Sequence, residues 1–133
     1  MPALRFVSAL LGAAGVILGA LGAHALHATL SARHSADSWE TAVFYHLVHV
    51  VMILVVTAGT GSAPPAKEGS ERLRTSGPAG CWLAGILLFS GSIYVLALGG
   101  PRWLGPVTPL GGLFFIAGWL WAAAGMLREK RRA

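Results

Sequence analysis

The chain has 133 residues, 55% of them hydrophobic and only 11% charged, where soluble domains carry roughly 25% charge. That composition excludes an ordinary soluble domain and points to a single-domain membrane protein. The net charge of +5 sits on Lys and Arg between and after apolar runs, as topology signals do, so no nucleic-acid partner is expected.

A hydrocarbon core about 30 Å thick takes about 20 helical residues, and four apolar segments meet that length. The first is expected over residues 6–28. Its glycines Gly12, Gly15, Gly19 and Gly22 are spaced three, four and three, a stripe along one helix face. In lipid, small residues let helix backbones approach closely. Gly111, Gly118 and Gly125 form a related series in the last segment, so the first and fourth helices are the expected packing partners. A homodimer seam is the alternative use of the stripe. Arg5, the apolar run and Ala23-His24-Ala25 also echo a signal peptide. The run is longer than the usual 7–15 apolar residues of such peptides, and a retained helix is expected.

The second segment is expected over residues 40–61. Asp37 or Ser38 can cap its start, with Glu40 completing a capping box. Residues 62–79 are rich in Pro, Gly, Ser and charge and are expected to form a solvent loop. The third segment spans 80–100 and the fourth 107–127, opened by Thr108-Pro109 with Pro in the first helical turn. Trp39, Trp82 and Trp103 are placed at the membrane interfaces, where indoles settle. The single Cys81 excludes an internal disulfide and a cysteine-rich metal knuckle.

The fold expected is an all-α, four-helix transmembrane bundle of two hairpins. With both termini inside, Arg5, Lys67, Arg72, Arg74, Arg128, Lys130, Arg131 and Arg132 lie on the cytoplasmic side, and only Arg33 and Arg102 lie outside. The positive-inside rule therefore favours N-in, C-in, with 62–79 cytoplasmic. The basic tail reads as a topology anchor at a helix C-terminus.

All five histidines fall between positions 24 and 49. His24 and His27 share one helix face by their spacing of three, and so do His46 and His49. At a rise of about 1.5 Å per residue, His24 lies roughly 10 Å, His46 roughly 7 Å and His49 roughly 3 Å outward of the midplane. Tyr45, Ser90 and Tyr94 share that layer. His24, Tyr45, His46, His49, Ser90 and Tyr94 are thus the candidate polar cluster, with His24 and His46 the best match in depth. Ionisable groups inside a membrane often mark function. Three roles stay open: a hydrogen-bonded knot, a metal or haem site on His24, His46 and His49, or a path for protons or a small ligand. The nearest carboxylate is Glu40, at the mouth of the second helix; none lies deeper in a predicted helix, and no Ser–His–Asp set shares a layer.

The segments GALGAHAL (19–26), W-x-x-A-V-x-Y-H-x-x-H (39–49), LLFSGSIYVLAL (87–98) and TPLGG…GW (108–119) resemble the DUF423 family, also called UPF0382, of small bacterial inner-membrane proteins with mitochondrial relatives. The resemblance covers nearly the whole chain. It implies a retained first helix, four membrane spans in the bacterial inner membrane and no settled activity. His24, Tyr45, His49, Ser90 and Tyr94 match its motifs, whereas His27 and His46 are less typical of it. The functional expectation is a non-enzymatic accessory or structural membrane subunit without a cofactor. Its partners would be the lipid bilayer and either another membrane protein or further copies of itself. The alternatives are a metal- or haem-binding membrane protein and an oligomeric small transporter or channel.

Overall fold

The computed structural model describes residues 2–58 and 76–130. Helix α1 spans Pro2–Ala23, α2 is a short helix at His27–Ala32 and α3 spans Ala36–Ala58. Helix α4 runs over Ser76–Ala97 and contains a π-helical turn at Ile86–Ser90. A 3₁₀ turn at Arg102–Leu104 leads into α5, Val107–Lys130. Four of these helices are long and apolar enough to cross a membrane. The all-α, four-span architecture expected from the sequence is therefore present.

The boundaries shift for identifiable reasons. The first span ends at Ala23 rather than near residue 28. His24–Leu26 form a turn, closed by Leu26 N–H donating to the Leu21 carbonyl at 2.8 Å. The second helix begins at Ala36, ahead of Asp37 and Ser38, so neither caps it. Ser35 stands at its entrance, but its hydroxyl donates to the Ala97 carbonyl at 3.1 Å, tying the turn to the end of α4. Residues 76–79 belong to α4. The remainder of the expected 62–79 loop lies outside the described residues.

Helix α1 lies along α3, α3 packs on α4, and α4 on α5. This corrects the expected pairing of the first and fourth helices. The glycine stripe of α1 is spent inside its own hairpin. A Cβ at Gly12 would meet Val50 Cγ1 at 3.3 Å, at Gly15 Leu47 Cδ2 at 2.7 Å, and at Gly19 Val43 Cγ1 at 3.3 Å. At Gly22 it would strike the Trp39 indole. Large side chains of α3 fill the grooves that the glycines leave, which is how apolar helices gain contact in lipid. In α5 the partners are on α4. Gly118 abuts Trp82 and Gly111 abuts the backbone of Leu88 and Phe89. Gly125, expected in the same seam, has nothing within 4 Å of its Cβ position and packs against no neighbour among the described residues.

The core follows from this layout. Val50 and Ile53 of α3 meet Ala79, Trp82 and Ile86 of α4 and Phe115 of α5. A smaller cluster of Leu30, Trp39 and Ala97 closes the end that carries α2. Trp82 and Trp39 are buried in these clusters, while Trp103 is 70% exposed. At the opposite end the Arg5 guanidinium donates to the carbonyls of Thr57 and Ala58, the last two residues of α3. C-terminal helix carbonyls carry partial negative charge, and a cation there satisfies them.

Candidate functional site

The polar cluster is assembled on α3 and α4, with α5 supplying three members that sequence reasoning missed. His46 and His49 are both 3% exposed, and Ser90 is fully buried. Ser90 closes the π-helical turn of α4, and its hydroxyl donates to the Ala42 carbonyl of α3 at 2.9 Å. A π-turn adds a residue to the helix and re-phases its faces. Here Ile86 and Ser90, at its two ends, are both buried, while Phe89 packs on Tyr45 and Phe115.

His49 is held on every side. Its Nδ1 lies 2.7 Å from the Tyr45 carbonyl and its Nε2 lies 3.1 Å from Trp119 Nε1. A carbonyl only accepts and an indole N–H only donates. The imidazole is therefore neutral, with its proton on Nδ1 and its one lone pair on Nε2 taken by Trp119. The ring also stacks on Phe115 at 3.7 Å between centroids and 14° between planes. Tyr45 lies nearly parallel at 5.9 Å. No ring nitrogen of His49 is open to a metal or haem iron unless Trp119 moves away.

His46 meets Tyr94 and α1 instead. Its Nδ1 is 3.3 Å from the Tyr94 hydroxyl of α4, and Tyr94 in turn packs on Trp39 at 4.8 Å. Its ring faces α1 at Gly15, and its Nε2 has no hydrogen-bond partner among the described residues. Trp39 completes the contact with α1 by donating from Nε1 to the Leu18 carbonyl at 2.9 Å. Three elements of the hairpin interface therefore bring α3 side chains to the α1 backbone: the glycine stripe, Trp39 and His46.

His24 is not part of this arrangement. It is exposed in the turn after α1, where Gly22 already faces Trp39, whereas His46 faces α1 at Gly15. Nine residues of register separate Gly15 from His24, roughly 14 Å at the helical rise. The depth estimate fails because α1 and α3 pair in a register set by Trp39 and Gly22, not by matching distances from two assumed midpoints. Tyr45 is 40% exposed and contributes its ring and carbonyl. Among the described residues, no group of three or more His, Cys, Asp or Glu is placed to hold a metal ion. His46 and His49 also engage different neighbours.

Trp119, Phe115 and Thr108 are the members that the sequence reading misses. Phe115 and Trp119 are one helical turn apart and so share a face, a spacing that is readable from the chain. Thr108 bonds Ser92 across α4 and α5 at 2.7 Å. The chemistry available to the cluster is mutual hydrogen bonding and aromatic stacking, which fixes α3 against α4 and α5.

Residues 18–112 match the family model described as a protein of unknown function (DUF423). The chain is 40% identical over 104 residues to a UPF0382 membrane protein of Staphylococcus haemolyticus, covering 77% of this chain and 76% of the relative. It is 38% identical over 116 residues to one from Haemophilus influenzae, covering 86% of each. A UPF0382 membrane protein of Schizosaccharomyces pombe is 38% identical over 118 residues, covering 85% and 92%. No solved structure matches. The matched region holds the whole α3–α4 polar cluster, and the chain belongs to the DUF423 (UPF0382) family of membrane proteins, whose biochemical role is unknown.

Proposed function

We propose that the protein is a non-enzymatic accessory or structural subunit of the bacterial inner membrane. It crosses that membrane four times with both termini on the cytoplasmic side and carries no cofactor. The observation that carries this reading is His49. Its two nitrogens are committed to Tyr45 and Trp119 and its face to Phe115. A group so committed contributes rigidity rather than turnover, since catalysis and ligation both need an open lone pair or a mobile proton. The partner is a membrane protein or a further copy of the chain, reached through lipid-facing helix surfaces. Affinity isolation from native membranes in mild detergent is expected to recover a stoichiometric membrane-protein partner or a homo-oligomer. A stable lone monomer under those conditions would count against the subunit role.

Orientation has its own test, made in a Cys81→Ser background so that the native thiol does not contribute. Ser31→Cys, in α2, is expected to react in intact cells with a membrane-impermeant maleimide, and Ser70→Cys only after permeabilisation. The reverse pattern would invert the topology. The basis is the excess of Lys and Arg on the side of Arg5 and the basic tail.

A further inference from the structure

We infer that a second copy of this chain packs against the outward face of α5, pairing the two α5 helices in parallel about a twofold axis. The inference rests on the subunit role proposed above and names the partner. All four leucines of α5 lie on one stripe, Leu110, Leu113, Leu120 and Leu127, with Ala117 and Ala124 at the positions between them. The spacing is three, four, three, four and three. That is an unbroken heptad seam with leucine at every d position and alanine at two of the three a positions. At about 100° per residue, the stripe lies roughly 150° around α5 from Gly111, Phe115 and Gly118, which face α4 and His49. The leucines are 53–66% exposed, and both alanines are exposed as well.

Lipid tails are as apolar as leucine, so burial alone does not draw two spans together; close packing does. This surface is shaped to fit itself. Leu113, Leu120 and Leu127 form a ridge, and Ala117 and Ala124 leave hollows beside it that a facing leucine enters as a knob. Copies inserted under the same Lys and Arg bias share one orientation, so their α5 helices run parallel, and leucine at d suits a parallel pair. A twofold axis closes the contact, using the same patch on both copies. From Leu110 to Leu127 the stripe is about 26 Å long at the helical rise, so the contact runs through most of a hydrocarbon core about 30 Å thick. The area is also adequate. Phe114 and Trp121 flank the leucines at 41% and 53% exposure. These six side chains each offer on the order of 100 Å², which approaches the roughly 800 Å² per partner of a stable interface.

The test is oxidative disulfide cross-linking in native membranes, with single cysteines placed in a Cys81→Ser background. Ala117→Cys and Ala124→Cys lie at the axis and are expected to give a covalent dimer several-fold above Ala123→Cys, which is exposed but about a quarter turn away. Ala13→Cys reports on the outward face of α1. A dimer of equal yield at Ala123, or one at Ala13 in place of Ala117 and Ala124, would overturn the inference and leave the subunit role standing. So would a different membrane protein co-isolated with a chain that gives no cross-link in α5. A lone monomer would remove the subunit role as well. Ala117→Phe supplies a second reading, because that position faces away from the internal packing of α5. Energy transfer between labelled copies in proteoliposomes is expected to fall several-fold in this variant, and unchanged transfer would count against the seam.

Discussion

Replacing Gly111 by alanine is expected to destabilise the α4–α5 hairpin by about 2 kcal/mol or more, within the 1–3 kcal/mol typical of overpacking and towards its upper end. The added Cβ would overlap the Phe89 backbone nitrogen and lie 2.7 Å from the Leu88 carbonyl carbon. Both atoms belong to the π-helical turn at Ile86–Ser90. Other glycines in this bundle face side-chain atoms that can give by a few tenths of an ångström, as Gly12 faces Val50 Cγ1 at 3.3 Å. A backbone cannot, so α5 must move away as a unit. That movement pulls Thr108 from Ser92 and Phe115 from Gly85. Alanine also raises helix propensity by about 1 kcal/mol over glycine, which opposes the loss. Gly125→Ala isolates that opposing effect, because nothing lies within 4 Å of the new Cβ. Thermal or denaturant unfolding in detergent should therefore show Gly111→Ala clearly below wild type and Gly125→Ala at or slightly above it. Equal stability of all three proteins would mean that the close approach at Gly111 is not what holds α5 in place.

The same contrast explains what can be read from the chain alone. Four apolar runs of membrane length define four helices almost without reference to their neighbours, because bilayer thickness sets the count. Helix pairing is different. The glycine series in α1 and α5 look like two halves of one seam, yet small residues state only that something comes close. The partner of Gly22 is Trp39 and that of Gly111 the Phe89 backbone. Short links already favour this outcome, since consecutive antiparallel helices meet first. The π-turn carries no sequence signal of its own, and it decides which α4 residues face α3. Ser90 and Tyr94 nevertheless fall in the expected layer, where they meet Ala42 and His46. His24 enters the expected cluster only by treating depth as proximity. It lies instead beyond the end of α1, in a turn that the apolar run up to Leu26 conceals. Trp119 stands out in the sequence only as part of a family-like motif, although its spacing from Phe115 puts both on one face of α5.

His49→Ala should be the most damaging single truncation in the cluster, costing about 3–5 kcal/mol when the large-to-small loss is combined with an orphaned indole donor that lipid cannot satisfy. The imidazole is stacked on Phe115 at 3.7 Å, so its removal opens a void at the meeting point of α3, α4 and α5. Trp119 then loses the acceptor for its N–H, and hydrocarbon offers no replacement. Intramembrane hydrogen bonds average only about 0.6 kcal/mol, so the hydrogen bond alone would not produce this effect; the stacked ring and the void must supply most of it. His49→Gln separates the two contributions. Glutamine can accept from Trp119 but cannot stack as a ring, so it should recover only a minor part of the loss. His24→Ala, at an exposed turn, should change stability by less than about 0.5 kcal/mol. Unfolding of the three variants in one detergent provides the order. A His49→Ala protein as stable as wild type would sink the structural reading of the cluster and return His49 to the ranks of residues kept for chemistry rather than for packing.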